Sequence, residues 1–461
     1  MAAIGLFITL LIYAWAGLNI GKFFFQNMEK KKQTVLSFLL FLAFMLPFEN
    51  TLNLVLGYTL RPLTLFIPFL LFLFVLYRIF ENKFKLNLLD ILALLLMAIG
   101  FIYIFPALTT ISLSEAMMGF FLQFQAFFVY FIVRYFTFEK EEILKLSKVA
   151  FICLFILLAY GVYEFIFARY ELIDWIVANS HHPFAKSQAN STEGFYRQKF
   201  LGDFLYRSQS FLLEFVSFGY YGFLLSSICF AVYFLHKVKK KRFLLLALII
   251  SFLGLLSSVT LSSLTATLVT FAIVFGFSVY NDIRKLFNLI KVVFFSICVF
   301  FLFYAFNQET KEFIDNSLEA VSLIDRLQAH SNATKEDNSS FFLNNLFGHG
   351  TGVAVTNIEG LFIEQEYKGN FAEWGLLGYL LYIAFYLVLI YTITKLIKIN
   401  PLHSLGYALS VGAFCLAIGF GLTGFVHNLW GSSTSLVIFF GLVGILLTNY
   451  KTLNQVEELK Y

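Results

Sequence analysis

Leu60–Phe80 reads LRPLTLFIPFLLFLFVLYRIF, with a cation at Arg61, another at Arg78 and no charge between them. A helix rising about 1.5 Å per residue comes close to crossing the roughly 30 Å hydrocarbon core of a bilayer over that interval. The remaining chain repeats the pattern. Its 461 residues are 59% hydrophobic, 20% aromatic and only 13% charged, a composition for which lipid rather than water is the solvent. Sixty-two phenylalanines in long Leu/Ile/Val runs, with six prolines, describe continuous helices and not the alternating strands of a membrane barrel. The expected fold is all-α: a polytopic integral membrane protein of about 12–13 transmembrane helices. One transmembrane domain over 1–461 is expected.

Spans are expected to start near residues 3, 34, 60, 88, 115, 148, 211, 243, 262, 288, 371, 407 and 432. The pair between 243 and 281 depends on a break at Ser257-Ser258-Val259-Thr260-Leu261-Ser262-Ser263. Basic residues collect in alternate connections: Lys30–Lys32; Arg78, Lys83 and Lys85; Arg134, Lys140, Lys145 and Lys148; Lys237–Arg242; Arg284 and Lys285; Lys395 and Lys398. The positive-inside rule makes these cytoplasmic. The short connections of the other set, near 49–61, 106–114, 256–262 and 425–432, hold one basic residue between them, Arg61. Two long loops, 169–210 and 307–370, fall on the same outer side, the second with short helices expected. The net charge of +5 is explained by these helix-end clusters, so no nucleic-acid partner is expected.

Charge inside a membrane is expensive, roughly 2.5 to 3.5 kcal/mol at a helix centre, and therefore informative. Arg61, Glu164, Glu214, Glu373 and His427 all stand at outer helix ends, where a site open to the outside would lie. In RSQSFLLEFVSFGYYG (Arg207–Gly222) the cation and carboxylate are seven residues apart, so a helix already begun at Arg207 would place Arg207 and Glu214 on one face. LFGHGTG (Leu346–Gly352) is followed by EQEYKGNFAEWGLLGYL (Glu364–Leu380). The glycines of the first stretch allow main-chain amides to approach an anion, but the run lacks the Gly-Lys-Ser/Thr of a phosphate loop. Gly375 and Gly378 are equally well explained by close helix packing. His181-His182-Pro183 and His349 have no partners at metal-ligand spacing, and no metal or other cofactor is expected. The four cysteines lie in apolar stretches without CxxC spacing and read as packing residues. The N-terminal apolar segment has no basic n-region and reads as a retained helix.

Taken in order, YTLRPLTLFIPFLL, RSQSFLLEFVSFG, SLIDRLQ around Arg326, NNLFGHGTG, EWGLLGYL and HNLWGSSTS resemble the O-antigen ligase and Wzy-type polymerase superfamily of bacterial polysaccharide proteins. The resemblance implies an enzyme of the bacterial inner membrane with its active site facing the periplasm. It would transfer an oligosaccharide from an undecaprenyl (polyprenyl) diphosphate carrier to another lipid-linked repeat unit, or, as a ligase, to a lipid A core. Its partners would be the undecaprenyl-diphosphate-linked oligosaccharide, membrane lipids and a chain-length regulator. For such chemistry Arg61, Arg207 and Arg326 are the candidates to bind the diphosphate, because guanidinium groups hold phosphate oxygens bidentately. Glu214, Glu364, Glu366 and His349 are the candidate bases for the acceptor hydroxyl, with Glu373 and His427 as further site candidates. Ligases of this superfamily carry a His-Asn pair nine residues before the acid of the EWGLLG segment, where this chain has Glu364-Gln365. That departure favours the polymerase. The rival from another class is a flippase or transporter of lipid-linked oligosaccharide, expected to carry repeat symmetry, broken helices and midplane charges.

Overall fold

The computed structural model describes residues 2–167, 175, 178, 180, 199–200, 205–206, 208, 210–212, 215–236, 241–258, 260–280, 345–353, 366–424 and 434–454. Within them run α1 (Ala2–Phe25), α2 (Met28–Leu56), α3 (Arg61–Phe80), α4 (Leu88–Ile102), α5 (Ile104–Ala107), α6 (Leu113–Tyr135) and α7 (Lys140–Phe167). They are followed by α8 (Phe215–Leu235), α9 (Lys241–Ser258), α10 (Leu261–Tyr280), α11 (Glu366–Ile399), α12 (Leu405–Thr423) and α13 (Ser435–Asn454). Ten stretches among the described residues are long and apolar enough to cross a membrane, and α9 and α13 are shorter apolar helices. The chain is a polytopic, all-helical membrane protein. Every expected span except the one near 288, which lies outside the described residues, coincides with a helix, α4 and α5 together forming the fourth. The break expected between 257 and 263 falls between Ser258 and Leu261. Of the two long loops, the described residues show a two-residue antiparallel pair, Lys199–Phe200 with Leu205–Tyr206, and the stretch 345–353.

Helix ends follow local chemistry. Asn27 caps α2 by accepting from Lys30 N–H, and Gly57 closes it at φ 74, returning its N–H to Asn53 O, a left-handed stop that favours glycine. Reciprocal capping boxes start α4 (Asn87 with Asp90) and α6 (Ser112 with Glu115), each satisfying amides that no helix can.

The bundle winds around α6, whose span is 83% buried, while α1, at 17%, is almost wholly peripheral. Phe124, Phe127, Phe128 and Phe131 of α6 are fully enclosed. Phe127 meets Phe385 of α11 and Phe440 of α13 at ring-centre distances of 4.9 and 5.2 Å, and Phe128 stacks on Phe72 of α3 at 5.2 Å. These edge and offset contacts supply the packing attraction that lipid, as apolar as the side chains, does not supply by exclusion. Large apolar residues such as Phe25, Phe80 and Leu377 are exposed on the perimeter, as a hydrocarbon solvent permits. A cavity of about 220 Å³ lies between α2, α6, α7, α8, α12 and α13.

Interhelical polar contacts sort into two layers. At the lysine-rich end, Lys32 pairs with Glu142 at 2.8 Å, Arg78 donates to Tyr135 at 2.9 Å, Tyr130 donates to the buried Asp90 at 2.6 Å, and Asn449 donates to Phe138 O at 2.6 Å. The lysine-poor end holds a different set.

Candidate functional site

Among the described residues three carboxyl groups are buried at the lysine-poor end: Glu49 of α2 (7% exposed), Glu164 of α7 (0%) and Glu373 of α11 (1%). Each organises a different piece of chain.

Glu49 sits two turns before the end of α2. Thr64 of α3 donates to its Oε2 at 3.2 Å, and the Arg61 guanidinium is within electrostatic reach. Arg61 itself is exposed in the first turn of α3. The turn between the helices is fixed by Asn53, which accepts from Leu60 N–H at 2.7 Å, and by Gln125 of α6, which donates to Thr64 O at 2.8 Å. Tyr221 of α8, hydrogen-bonded to Thr434 at the head of α13, also lies within the field of Glu49. Glu49 Oε1 has no hydrogen-bond partner among the described residues, which is unusual for a buried carboxylate. Sequence reasoning passed over Glu49. Its signal was present: an acid inside an apolar helix, fifteen residues from a threonine beside the lone outer arginine.

The RSQSFLLEF stretch is hooked onto the same helix end. Next to Glu49, Asn50 donates to Leu212 O at 2.7 Å and Thr51 to Phe211 O at 2.6 Å. From the other side Glu164 Oε2 accepts from Ser208 Oγ at 2.9 Å and from Ser210 N–H at 2.8 Å, and Ser208 N–H reaches Ser257 O in the last turn of α9. Ser210 takes φ 50 within a short 3-10 turn, Ser210–Leu212, and α8 begins only at Phe215. Ser208 and Ser210–Leu212 are not part of an α-helix, so the described residues do not supply the continuous α-helix that would put positions 207 and 214 on one face. Glu164→Ala removes the acceptor that holds two donors, and charge-assisted bonds of this kind contribute about 1.5–3 kcal/mol each. The variant is expected to unfold earlier in detergent, and to be cut faster by protease within 168–214, than Glu164→Gln.

Glu373 belongs to a third assembly. Gly375, at φ 63 and ψ −168, breaks α11, and the 345–353 stretch lies across the break. His349 N–H donates to Ala372 O at 2.8 Å, Gly350 N–H to Glu373 O at 2.9 Å, and Leu376 N–H to Leu346 O at 3.0 Å. Gly348 N–H goes to Asn345 O and Thr351 N–H to Tyr103 O, both at 3.0 Å. Gly352 N–H donates to Glu373 Oε1 at 3.1 Å, and Gln123 of α6 donates to Oε2. Every amide from 348 to 352 is thus engaged within the protein. Of the three glycine amides only that of Gly352 meets a carboxyl group, and it is the chain's own Glu373. A phosphate-cradling role for LFGHGTG has no free donor left to serve it. His349 keeps a partly exposed side chain on this pinned backbone.

The structure thus attaches the Arg61 turn, through Glu49, and residues 211–212, through Asn50 and Thr51, to the same end of α2. It sets the His349–Glu373 assembly elsewhere: Gln123 and Gln125, two residues and so about 200° apart on α6, point to opposite faces, one to Glu373 and the other to Thr64. Arg207, Glu214, Arg326, Glu364 and His427 lie outside the described residues, as does the side chain of Glu366. No protein-family model matches this chain, and no curated protein matches it either.

Proposed function

We propose that the chain is a polysaccharide polymerase, transferring a growing glycan from a polyprenyl diphosphate carrier to another lipid-linked repeat unit at the lysine-poor, outer face of the bacterial inner membrane. The observation that carries this reading is the convergence on the end of α2. One helix terminus holds the Arg61 turn through Glu49 and residues 211–212 through Asn50 and Thr51. A cation exposed at that boundary suits a membrane-anchored anion with its phosphates at headgroup level. In the reaction, the acceptor hydroxyl oxygen bonds to the anomeric carbon while the carbon–oxygen bond to the diphosphate breaks. The bond's electron pair leaves with the diphosphate, where Arg61, with Arg207 and Arg326, would meet the developing charge. The hydroxyl proton passes to a base, for which Glu214, two residues beyond the anchored Leu212, is the first choice. Glu49 is a positioning residue, holding the arginine-bearing turn.

The purified chain, given lipid-linked repeat units, is expected to release free polyprenyl diphosphate in step with glycan growth. Turnover without growth, or transfer only to a lipid A core, would reject the polymerase.

The broken α11 with a buried carboxylate beside the break is what a transporter would show, and it favours a flippase as the second reading. Its backbone groups are, however, closed off by the 345–353 stretch. Glu373→Gln decides between them: a transporter should lose lipid-linked oligosaccharide translocation, whereas the polymerase should keep its elongation rate within about tenfold, since an amide can still bond to Gln123 and Gly352.

A further inference from the structure

The cavity of about 220 Å³ is lined almost wholly by aliphatic side chains, among them Leu42 and Ala43 of α2, Ala150 and Phe151 of α7, Leu225 of α8 and Gly441 of α13. It is roomier than the roughly 150 Å³ apolar cavities that take up a benzene ring. It also reaches Ser147, an exposed residue near the lysine-rich end of α7. Lys148, next to Ser147 and three residues before the lining Phe151, is exposed. Phe151 packs on Phe243 of α9 at 5.4 Å, which brings the exposed Arg242 to the same side, preceded in sequence by Lys237, Lys239, Lys240 and Lys241. Of the neighbouring acids, Glu139 and Glu142 pair with Lys32 and Glu141 is exposed, so the rim is positive on balance.

We propose that this cavity is a binding site for an anionic phospholipid of the lysine-rich leaflet, part of one acyl chain in the cavity and its phosphate on Lys148 and Arg242. The apolar lining recognises the chain, and the rim selects the charge of the headgroup. The headgroup rim lies at the lysine-rich end, opposite Arg61, and no candidate residue of the glycosyl-transfer reading lines the cavity, so the site stands or falls separately from that reading.

Gly441 offers the decisive variant: a Cβ there would meet only Val129 Cγ1, at 3.7 Å, so Gly441→Leu grows into the cavity without displacing backbone. The full chain is stripped of lipid in detergent, then titrated by native mass spectrometry with phosphatidylglycerol, phosphatidylcholine and a long-chain polyprenyl phosphate, each also scored by thermal shift. Wild type should retain one phosphatidylglycerol at least about tenfold more tightly than phosphatidylcholine, each rim cation adding to the attraction. Gly441→Leu should lose that equivalent and its thermal shift. Lys148→Glu with Arg242→Glu, surface changes that leave packing intact, should erase the headgroup preference. Equal binding of the two phospholipids, phosphatidylglycerol binding undiminished in both variants, or preference for the polyprenyl phosphate would each overturn the proposal.

Discussion

Arg61→Ala should lower the rate of glycan elongation by about 10³-fold, in the range seen when a single preorganised charge-stabilising donor is removed from a transferring group. Stability should hardly change. Arg61 is exposed in the first turn of α3, and the turn before it is held by Asn53 to the Leu60 amide and Gln125 to the Thr64 carbonyl, neither of which needs the guanidinium. Exposed substitutions of this kind usually fall within about 0.5 kcal/mol. Arg61→Lys should recover only part of the rate, because an ammonium cannot bind two phosphate oxygens through a planar fork. Elongation assays on purified variants with matched unfolding midpoints check this. Full activity in Arg61→Ala would remove the arginine from the site.

The largest stability loss is expected at Gly350. A Cβ built there would lie 2.3 Å from Ala107 N and 2.5 Å from Ala107 Cα, and the residue already sits at φ +117. The backbone has nowhere to retreat, because Gly350 N–H is bonded to Glu373 O and Thr351 N–H to Tyr103 O. Gly350→Ala should therefore cost about 3 kcal/mol or more, the scale of overpacking combined with lost buried bonds, and yield little folded protein. Gly441→Ala, with no contact nearer than 3.7 Å, is the matched control and should fold normally. Yields and melting curves in detergent compare the two.

The spans could be read from the sequence because hydropathy and the alternation of lysines act over whole segments. The Ser257–Ser263 break was visible for the same reason: a polar run interrupts apolar sequence and turns the chain. What could not be read was how polar groups pair across the bundle. Glu373 was visible as an outer-end acid, yet its engagement with Gln123 and Gly352 depends on 345–353 folding back over a break at Gly375, which a periodic pattern does not reveal. Gly375 reads equally well as a packing glycine, and only its φ of 63 distinguishes a broken helix from a close-packed one. Glu49 was missed because an isolated acid on a long helix gives no hint that Thr64 and Arg61 face it.

The most direct test of the central claim is to delete the gene in its own host and resolve the surface and carrier-linked glycans on gels, beside strains complemented with wild type and with Arg207→Ala. Polymerisation at the lysine-poor face predicts that the deletion and the arginine variant both collapse to a single repeat unit while wild type restores the ladder. An unchanged glycan profile in the deletion would contradict it, and full-length polymer stranded on the carrier would contradict the polymerase in favour of a ligase.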